Sequence, residues 1–489
     1  MILKDLFIAF SAGFVGIFAF APFSLKFLIF ISYGYIIYIL INNKKRLFLK
    51  LFFWGISHWG FGMSWIIVSV YYYGETSIAV ASTIYILLTI ILSLVFTCPL
   101  LLIKYINNKI GNYDQIKQAL LVSSLLLISE FSREFLLNGV PWLIPGNVFL
   151  DTYAQNIYPI LGAAFGSYLI YFVTSIVITN TNNIKVSFLF LVFGIVLMFP
   201  QKFVQQNGEI PISIIQPSSD PFDKYKPGYY SFIENNLLDL IKKSSTESKM
   251  VVIPEAELPY PTNDYRFNSF IEKTKIKDRL VMGAWFIDNN ELFNTIYYPK
   301  KEILYKKVHL VPFGEYIPFI TKLRGLIDFF DLPMSNVIPG PELQENMRLI
   351  QDYEVATPIC FDIAFPNTVR KMNISSFLII NISNDTWFGD SIGPYHHLSK
   401  ARIRAIENNK WLIRATNNGF SAIIDNNGTI VEKTKKNITG VLEGKVNLIG
   451  KRSIFNKFGY YLTKILPFFM ILVLLINRSC TLRKNLSQS

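Results

Sequence analysis

The distribution of long apolar runs constrains this chain more than any other feature. Stretches near 5–21, 24–42, 51–72, 77–103, 118–137, 158–179, 185–200 and 459–477 carry few charges. Most approach the length of about 20 residues that a helix needs to cross a hydrocarbon layer, the first and seventh being shorter. Seven of them precede a polar block near 201–458 and one follows it. A chain of 489 residues that is 51% hydrophobic, with mean hydropathy +0.35, has more apolar side chains than a water-soluble fold of this size needs. The expected fold is a membrane α-helical bundle of about eight spans plus an exported α/β domain. The expected division is a bundle at 1–200, a catalytic domain at 201–458, and a last span with its tail at 459–489.

Charge gives the expected orientation. The loop 43–50 carries Lys44, Lys45, Arg46 and Lys50, the loop 104–117 carries Lys104, Lys109 and Lys117, and the tail carries Arg478, Arg483 and Lys484. The alternate loops near 22–25, 73–76 and 138–157 are almost free of basic residues. Basic loops stay in the cytoplasm, so seven spans place the polar block outside it. The formal net charge of +13 is then an orientation signal, and no nucleic-acid partner is expected. Ala19-Phe20-Ala21 resembles a cleavage site, but Pro22 and a second apolar run follow at once, which points to a retained hairpin. Glu130 and Arg133 share a helix face near the end of the fifth run, as an interfacial ion pair or as part of a substrate path. Pro141, Trp142, Pro145 and Gly146 read as an interfacial re-entrant loop.

The polar block alternates β-branched runs with amphipathic helical stretches, the pattern of an α/β domain with buried sheets. Strands are predicted at 210–216, 249–254, 279–287, 293–298, 303–308, 354–360, 376–382, 411–416, 420–425 and 438–444. Helices are predicted at 229–244, 264–275, 363–371 and 394–409. Val251-Val252-Ile253-Pro254-Glu255 is a buried-strand signal ending at a carboxylate. The run YKKVHLVPFGE, 305–315, places Lys306, Lys307 and Glu315 around a turn. Thr357-Pro358-Ile359-Cys360 ends another strand, and Asp362 is placed to cap a following helix.

Cys360 is the lone cysteine of the block; Cys98 lies in an apolar run and Cys480 in the tail. No Cys-x-x-Cys pair occurs and the four histidines lack ligand spacing, so neither a metal nor any other cofactor is expected. A thiol at a helix start favours its thiolate. It needs a base, which Glu255 supplies if burial raises its pKa. An acyl-transfer intermediate needs a positive partner for its oxyanion, which Lys307 supplies, with Glu315 to position that lysine or the incoming nucleophile. Singly, each has an ordinary alternative: a solvated cap, a solvated lysine pair, a small core residue. In order, each at a strand end, they form a candidate site.

At this point the chain resembles the nitrilase superfamily, whose Glu-Lys-Cys triad lies on an αββα sandwich. Glu255, Lys307 and Cys360 match its order and approximate spacing. HLVPFGEYIP at 309–318, SNDTWFGDSIGP at 383–394, RIRAIE at 402–407 and RATNNGFSAIID at 414–425 are similar to the membrane-bound branch, the apolipoprotein N-acyltransferases. That resemblance implies acyl transfer from a phospholipid, through a Cys360 thioester, to the α-amine of diacylglyceryl-cysteine in apolipoproteins. It implies a bacterial inner-membrane protein with its catalytic domain on the periplasmic side, in contact with membrane lipid. Phe361, Trp387 and Phe388 would contact substrate, and loops 319–345 and 385–396 would close over it. The family commonly has Cys-Tyr-Glu where this chain has Cys360-Phe361-Asp362. Glu257, two residues past Glu255, is a rival carboxylate. A membrane-anchored amidase acting on a small amide is the alternative that the same triad serves.

Overall fold

A computed structural model describes residues 2–42, 45–73, 77–110, 114–136, 139–180, 183–220, 223–224, 226–312, 314–316 and 337–486. The chain divides into two compact units, one of residues 1–64, 82–202 and 458–489, the other of 65–81 and 203–457.

The first unit is helical. Every apolar run of the sequence carries a helix, but not all are of spanning length. Among the described residues Ile78–Asn107, Tyr153–Thr179 and Phe455–Ile476 are long and apolar enough to cross a membrane. Leu47–Gly62 with Trp65–Tyr71 makes a fourth if the pair, bent by 53°, is counted as one. Leu28–Asn42 and Ile184–Met198 are apolar but shorter. The fifth run is a helix only over Gln115–Phe131 and then tightens into a 3₁₀ turn, Ser132–Phe135. Glu130 and Arg133 are both buried here. Glu130 accepts from Ser167 Oγ at 3.1 Å and Tyr171 Oη at 2.8 Å. Arg133 donates to the Trp142 carbonyl at 2.7 Å and lies 5.5 Å from the Trp59 ring centre. Buried charges of this kind need such partners, and these tie helix 115–131 to helix 158–179 and to the Pro141–Gly146 loop.

The second unit is a sandwich of two six-stranded sheets. Its strands are β1 (Ile210–Gln216), β2 (Met250–Ile253), β3 (Leu280–Asp288), β4 (Glu291–Tyr298), β5 (Ile303–Lys306), β6 (Met347–Arg348), β7 (Glu354–Ala356), β8 (Leu378–Ser383), β9 (Leu412–Thr416), β10 (Ala422–Ile424), β11 (Ile430–Lys433) and β12 (Gly440–Val446). One sheet runs β12-β1-β2-β3-β4-β5 and the other β11-β10-β9-β8-β7-β6. Each has a parallel centre, β1-β2-β3 and β7-β8-β9, flanked by antiparallel strands.

Alternation along the strands builds the layers. Ile212, Ile214 and Val252 of one sheet meet Leu378, Ile380, Ile382 and Ile413 of the other in the central core. The intervening Ile215, Val251 and Ile253 face outward onto Leu237, Phe267 and Phe270 of helices Tyr230–Lys243 and Tyr265–Thr274. Ala356, Ile379 and Leu412 likewise meet Val369, Leu398, Ala401 and Ala405 of helices Pro366–Met372 and Gly393–Asn408. Both faces of each sheet are covered, which is why strands such as Val251-Val252-Ile253 read as unbroken apolar runs. The arrangement is αββα.

Every strand read from the sequence overlaps a strand, and β6 and β11 are additions too short or too exposed to signal. The helix expected at 363–371 is instead a 3₁₀ turn, Cys360–Ala364, and a separate helix from Pro366. Proline fits only the first turn of a helix and drives the residue before it out of helical geometry, so the chain restarts at Pro366.

Candidate active site

Glu255 stands just past β2. The backbone there is pressed against Gly283 of β3, where a Cβ would come within 2.5 Å of the Glu255 Cα. Only glycine permits that approach. Glu255 Oε1 accepts from Lys307 Nζ at 2.9 Å and from Asn294 Nδ2 at 2.7 Å. Its Oε2 accepts from the Asn384 backbone N–H at 2.8 Å. Lys307, one residue past β5, also donates to Glu315 Oε2 at 2.8 Å. Asn294 of β4 donates again to Glu315 Oε1 at 2.8 Å, and the Val311 N–H reaches Oε2 at 2.9 Å. An ammonium and an amide thus bridge two buried carboxylates from either side, with Lys307 only 1% exposed.

Burial opposes the charge on Glu255, but the Lys307 ammonium and the bonds from Asn294 and Asn384 hold its carboxyl below the usual range. Burial also opposes the charge on Lys307, and Glu255 with Glu315 holds it well above the usual range. The condition set from the sequence, a Glu255 raised by burial, is not met, because the bonded ammonium outweighs desolvation.

Cys360 opens the 3₁₀ turn with φ 44°, a left-handed conformation rare for a residue with a side chain. Burial pushes its thiol up, Glu255 adds to this, and Lys307 opposes it. The resting group is a thiol, not the thiolate expected of a helix start: the turn is too short for an appreciable dipole, and desolvation prevails. Lys307 and Cys360 lie close enough for each charge to act on the other.

Asp362 is fully buried and sits at the third position of this turn. One carboxylate oxygen accepts from the His309 N–H at 2.7 Å, two residues past Lys307, and the other from the Ile359 N–H at 3.1 Å, just before Cys360. One side chain therefore ties the lysine-bearing segment to the cysteine-bearing turn. Burial raises its carboxyl to about 7, against the bonds from His309 and Ile359. The native state then holds a proton that the unfolded chain releases near about pH 4. Stability from this group is full below that value, falls as pH rises toward 7, and is level above. Thermal unfolding at stepped pH should show the advantage of wild type over Asp362→Asn shrinking between pH 4 and 7. Parallel curves would mean that Asp362 titrates normally.

The aromatic candidates fall on two turns. Phe361 meets Phe365 edge-on at 4.9 Å, and the other face of the arrangement is His309 stacked on Phe365 at 3.6 Å. Trp387 and Phe388 belong to the short turn Asp385–Phe388. Ser69 donates to the Trp387 carbonyl at 2.6 Å, and Trp65 meets Phe388 edge-on at 4.7 Å. Glu257 is also buried; burial pushes its carboxyl up and Glu255 adds to this, against Lys224. Of the two expected closing loops, 385–396 is the segment just described, and 319–336 of the other lies outside the described residues. Asn294 and the Asn384 amide were missed in the sequence; the one signal was an asparagine inside an otherwise apolar strand.

A family model for the apolipoprotein N-acyltransferase N-terminal domain matches residues 12–176, and one for carbon-nitrogen hydrolase matches 268–450. An apolipoprotein N-acyltransferase of Pseudomonas aeruginosa is 30% identical over 425 residues, 80% of each chain. The chain belongs to the apolipoprotein N-acyltransferase family. The relative from Haemophilus influenzae is 29% identical over 469 residues, 90% of this chain and 88% of that one. That from Pasteurella multocida is 28% identical over 511 residues, 98% of this chain and 96% of its own. An amidase of the nitrilase superfamily from Nesterenkonia AN1 is similar over 52% of this chain and 96% of its own, at 16% identity and TM-score 0.38.

Proposed function

We propose that the chain moves a fatty acyl group from a phospholipid to the N-terminal α-amine of diacylglyceryl-cysteine in apolipoproteins, with Cys360 as carrier. The observation that carries this reading is the buried Lys307 ammonium held between Glu255 and Glu315 beside Cys360, in a chain of this family. In this reading the protein belongs to a bacterial inner membrane, with its catalytic domain on the periplasmic side, and the donor is a lipid of that membrane.

In the first half-reaction Cys360 Sγ attacks the ester carbonyl as Glu255 takes its proton. With the thiol pKa high and that of Glu255 low, a free thiolate is not stored, and proton loss accompanies attack. Protonating Glu255 removes one of the two counter-charges on Lys307. Its charge then turns to the developing oxyanion, while Glu315 keeps the ammonium in place. The tetrahedral intermediate collapses, the carbon–oxygen bond breaks, and lysophospholipid leaves with the proton from Glu255. In the second half-reaction the α-amine attacks the thioester, Glu255 takes the amine proton, the carbon–sulfur bond breaks, and that proton returns to sulfur. The products are the amide and free thiol.

The test is intact-protein mass spectrometry after incubation with a single phospholipid species. An adduct of that lipid's acyl mass on Cys360, discharged by a diacylated lipopeptide, is expected. An adduct discharged only by water would give the site to a hydrolase, and no adduct would end the thioester reading.

A further inference from the structure

Behind Cys360 lies a second buried polar network that the chemistry above does not use. His397, on helix Gly393–Asn408, places Nε2 3.1 Å from the Cys360 carbonyl oxygen. Its Nδ1 lies 2.9 Å from Asp385 Oδ1 and 3.0 Å from an Arg414 nitrogen. Arg414, on β9, donates to Asp385 Oδ1 at 2.9 Å and Oδ2 at 2.8 Å, and also to Asn381 Oδ1. Asn381 in turn donates to the Pro358 carbonyl at 2.9 Å, and Ser383 donates to Asp385 Oδ1 at 2.8 Å. Asn381, Asp385, His397 and Arg414 are each at most 1% exposed.

The contacts settle one side of the imidazole. A carbonyl oxygen only accepts, so Nε2 carries a hydrogen. Nδ1 lies between the Asp385 carboxylate, which accepts, and the Arg414 guanidinium, which donates. Burial followed by Arg414 holds the ring below its ordinary pKa, with Asp385 opposing them.

We infer that His397 is a positioning residue for Cys360, its Nε2–H gripping the Cys360 carbonyl and so holding the left-handed turn that presents the thiol. This rests on the reading of Cys360 as nucleophile. A side-chain-bearing residue at φ 44° persists only where its surroundings over-determine it. Here the network grips the chain on both sides, at the Pro358 carbonyl before the cysteine and at its own carbonyl. The peptide group is planar, so fixing that oxygen also fixes the Phe361 N–H on the opposite side. Losing the grip frees the unit to rotate, which shifts Sγ relative to Glu255 and Lys307. Displacements of about 1 Å at a reacting atom can cost about 10²-fold in rate.

The experiment compares His397→Gln, His397→Asn and His397→Leu in the full-length protein in detergent. Glutamine can place an N–H near the Nε2 position, asparagine only near Nδ1, and leucine places none. The readouts are the rate of Cys360 acyl-adduct formation from one phospholipid species, per folded enzyme, and the unfolding temperature. The Asn and Leu variants should acylate about 10–100-fold more slowly than wild type, with Gln recovering most of the loss. Equal rates in all variants, or a Gln variant no faster than Asn at equal folding, would overturn the inference. So would losses that track folded fraction alone, with the folded remainder reacting at the wild-type rate. A wild-type protein that never acquires the adduct would instead remove the thioester reading itself.

Discussion

Cys360→Ser is expected to lower acyl transfer by at least about 10⁴-fold, with no acyl adduct of kinetic competence and an unfolding temperature close to that of wild type. The substitution exchanges one atom in the core between the sheets, where Cys360 packs with Ile359 and Ile382. A hydroxyl there costs about 1–3 kcal/mol at most if unbonded, which leaves the fold intact. The chemistry is less tolerant. Burial and Glu255 already hold the thiol above its ordinary pKa, and the Lys307 contact holds Glu255 below its own. The proton transfer is therefore uphill even for sulfur. A hydroxyl is a far weaker acid and a poorer nucleophile, and the carboxylate that must deprotonate it is tuned in the wrong direction. The measurement is intact mass after incubation with phospholipid, beside single-turnover transfer to a lipopeptide. A serine variant that transfers at wild-type rate would remove Cys360 from the reaction.

Lys307→Met should damage both stability and chemistry. The ammonium is bonded to Glu255 and Glu315 at 2.9 and 2.8 Å with almost no exposure. Removing it leaves two buried carboxylates bridged by Asn294 alone, and breaking a buried pair in this way costs about 3–5 kcal/mol. The sign with pH should change. In wild type the depressed Glu255 pKa contributes stability above the unfolded value that is lost as pH falls through the folded value. Without the ammonium, burial and like-charge repulsion raise one carboxyl, so the variant gains stability on acidification. Adduct formation should fall by about 10²–10³-fold from loss of the oxyanion partner. The double variant Lys307→Met with Glu315→Gln should recover stability but not rate, because it removes the orphaned charge without restoring a positive one. If the double variant is no more stable than the single one, the two groups are not coupled as the geometry says.

The legibility of this protein followed its periodicities. Alternation in Ile212 to Ile215 and in Leu378 to Ile382, with covered sheets on both sides, made the sandwich strands readable residue by residue. Boundaries failed where a single residue intervened, as at Pro366. The helical unit was legible as apolar runs and less so as spans, because hydropathy does not register the 53° bend after Gly62 or the shortening of the helix at Phe131. Glu255 and Lys307 were readable as candidates because each falls just past a strand, and Cys360 because it opens the turn that follows β7; Glu315 lies well beyond β5 and was readable only from the run that carries Lys307. Asn294 was not, since an asparagine inside a strand signals a buried polar group without saying what it bonds.

Sequence alone determined what is local or compositional: the apolar runs, the positions of most strands of the polar block, and which residue types carry chemistry. Only the tertiary structure decided their charge states. Whether Glu255 is raised by burial or held low depends on Lys307, 52 residues away in the chain. Whether Cys360 rests as thiol or thiolate depends on how fully two sheets exclude water from it. Its backbone turn depends on His397, 37 residues on. Those are sums of desolvation and pair interactions over distances that the chain closes only by folding.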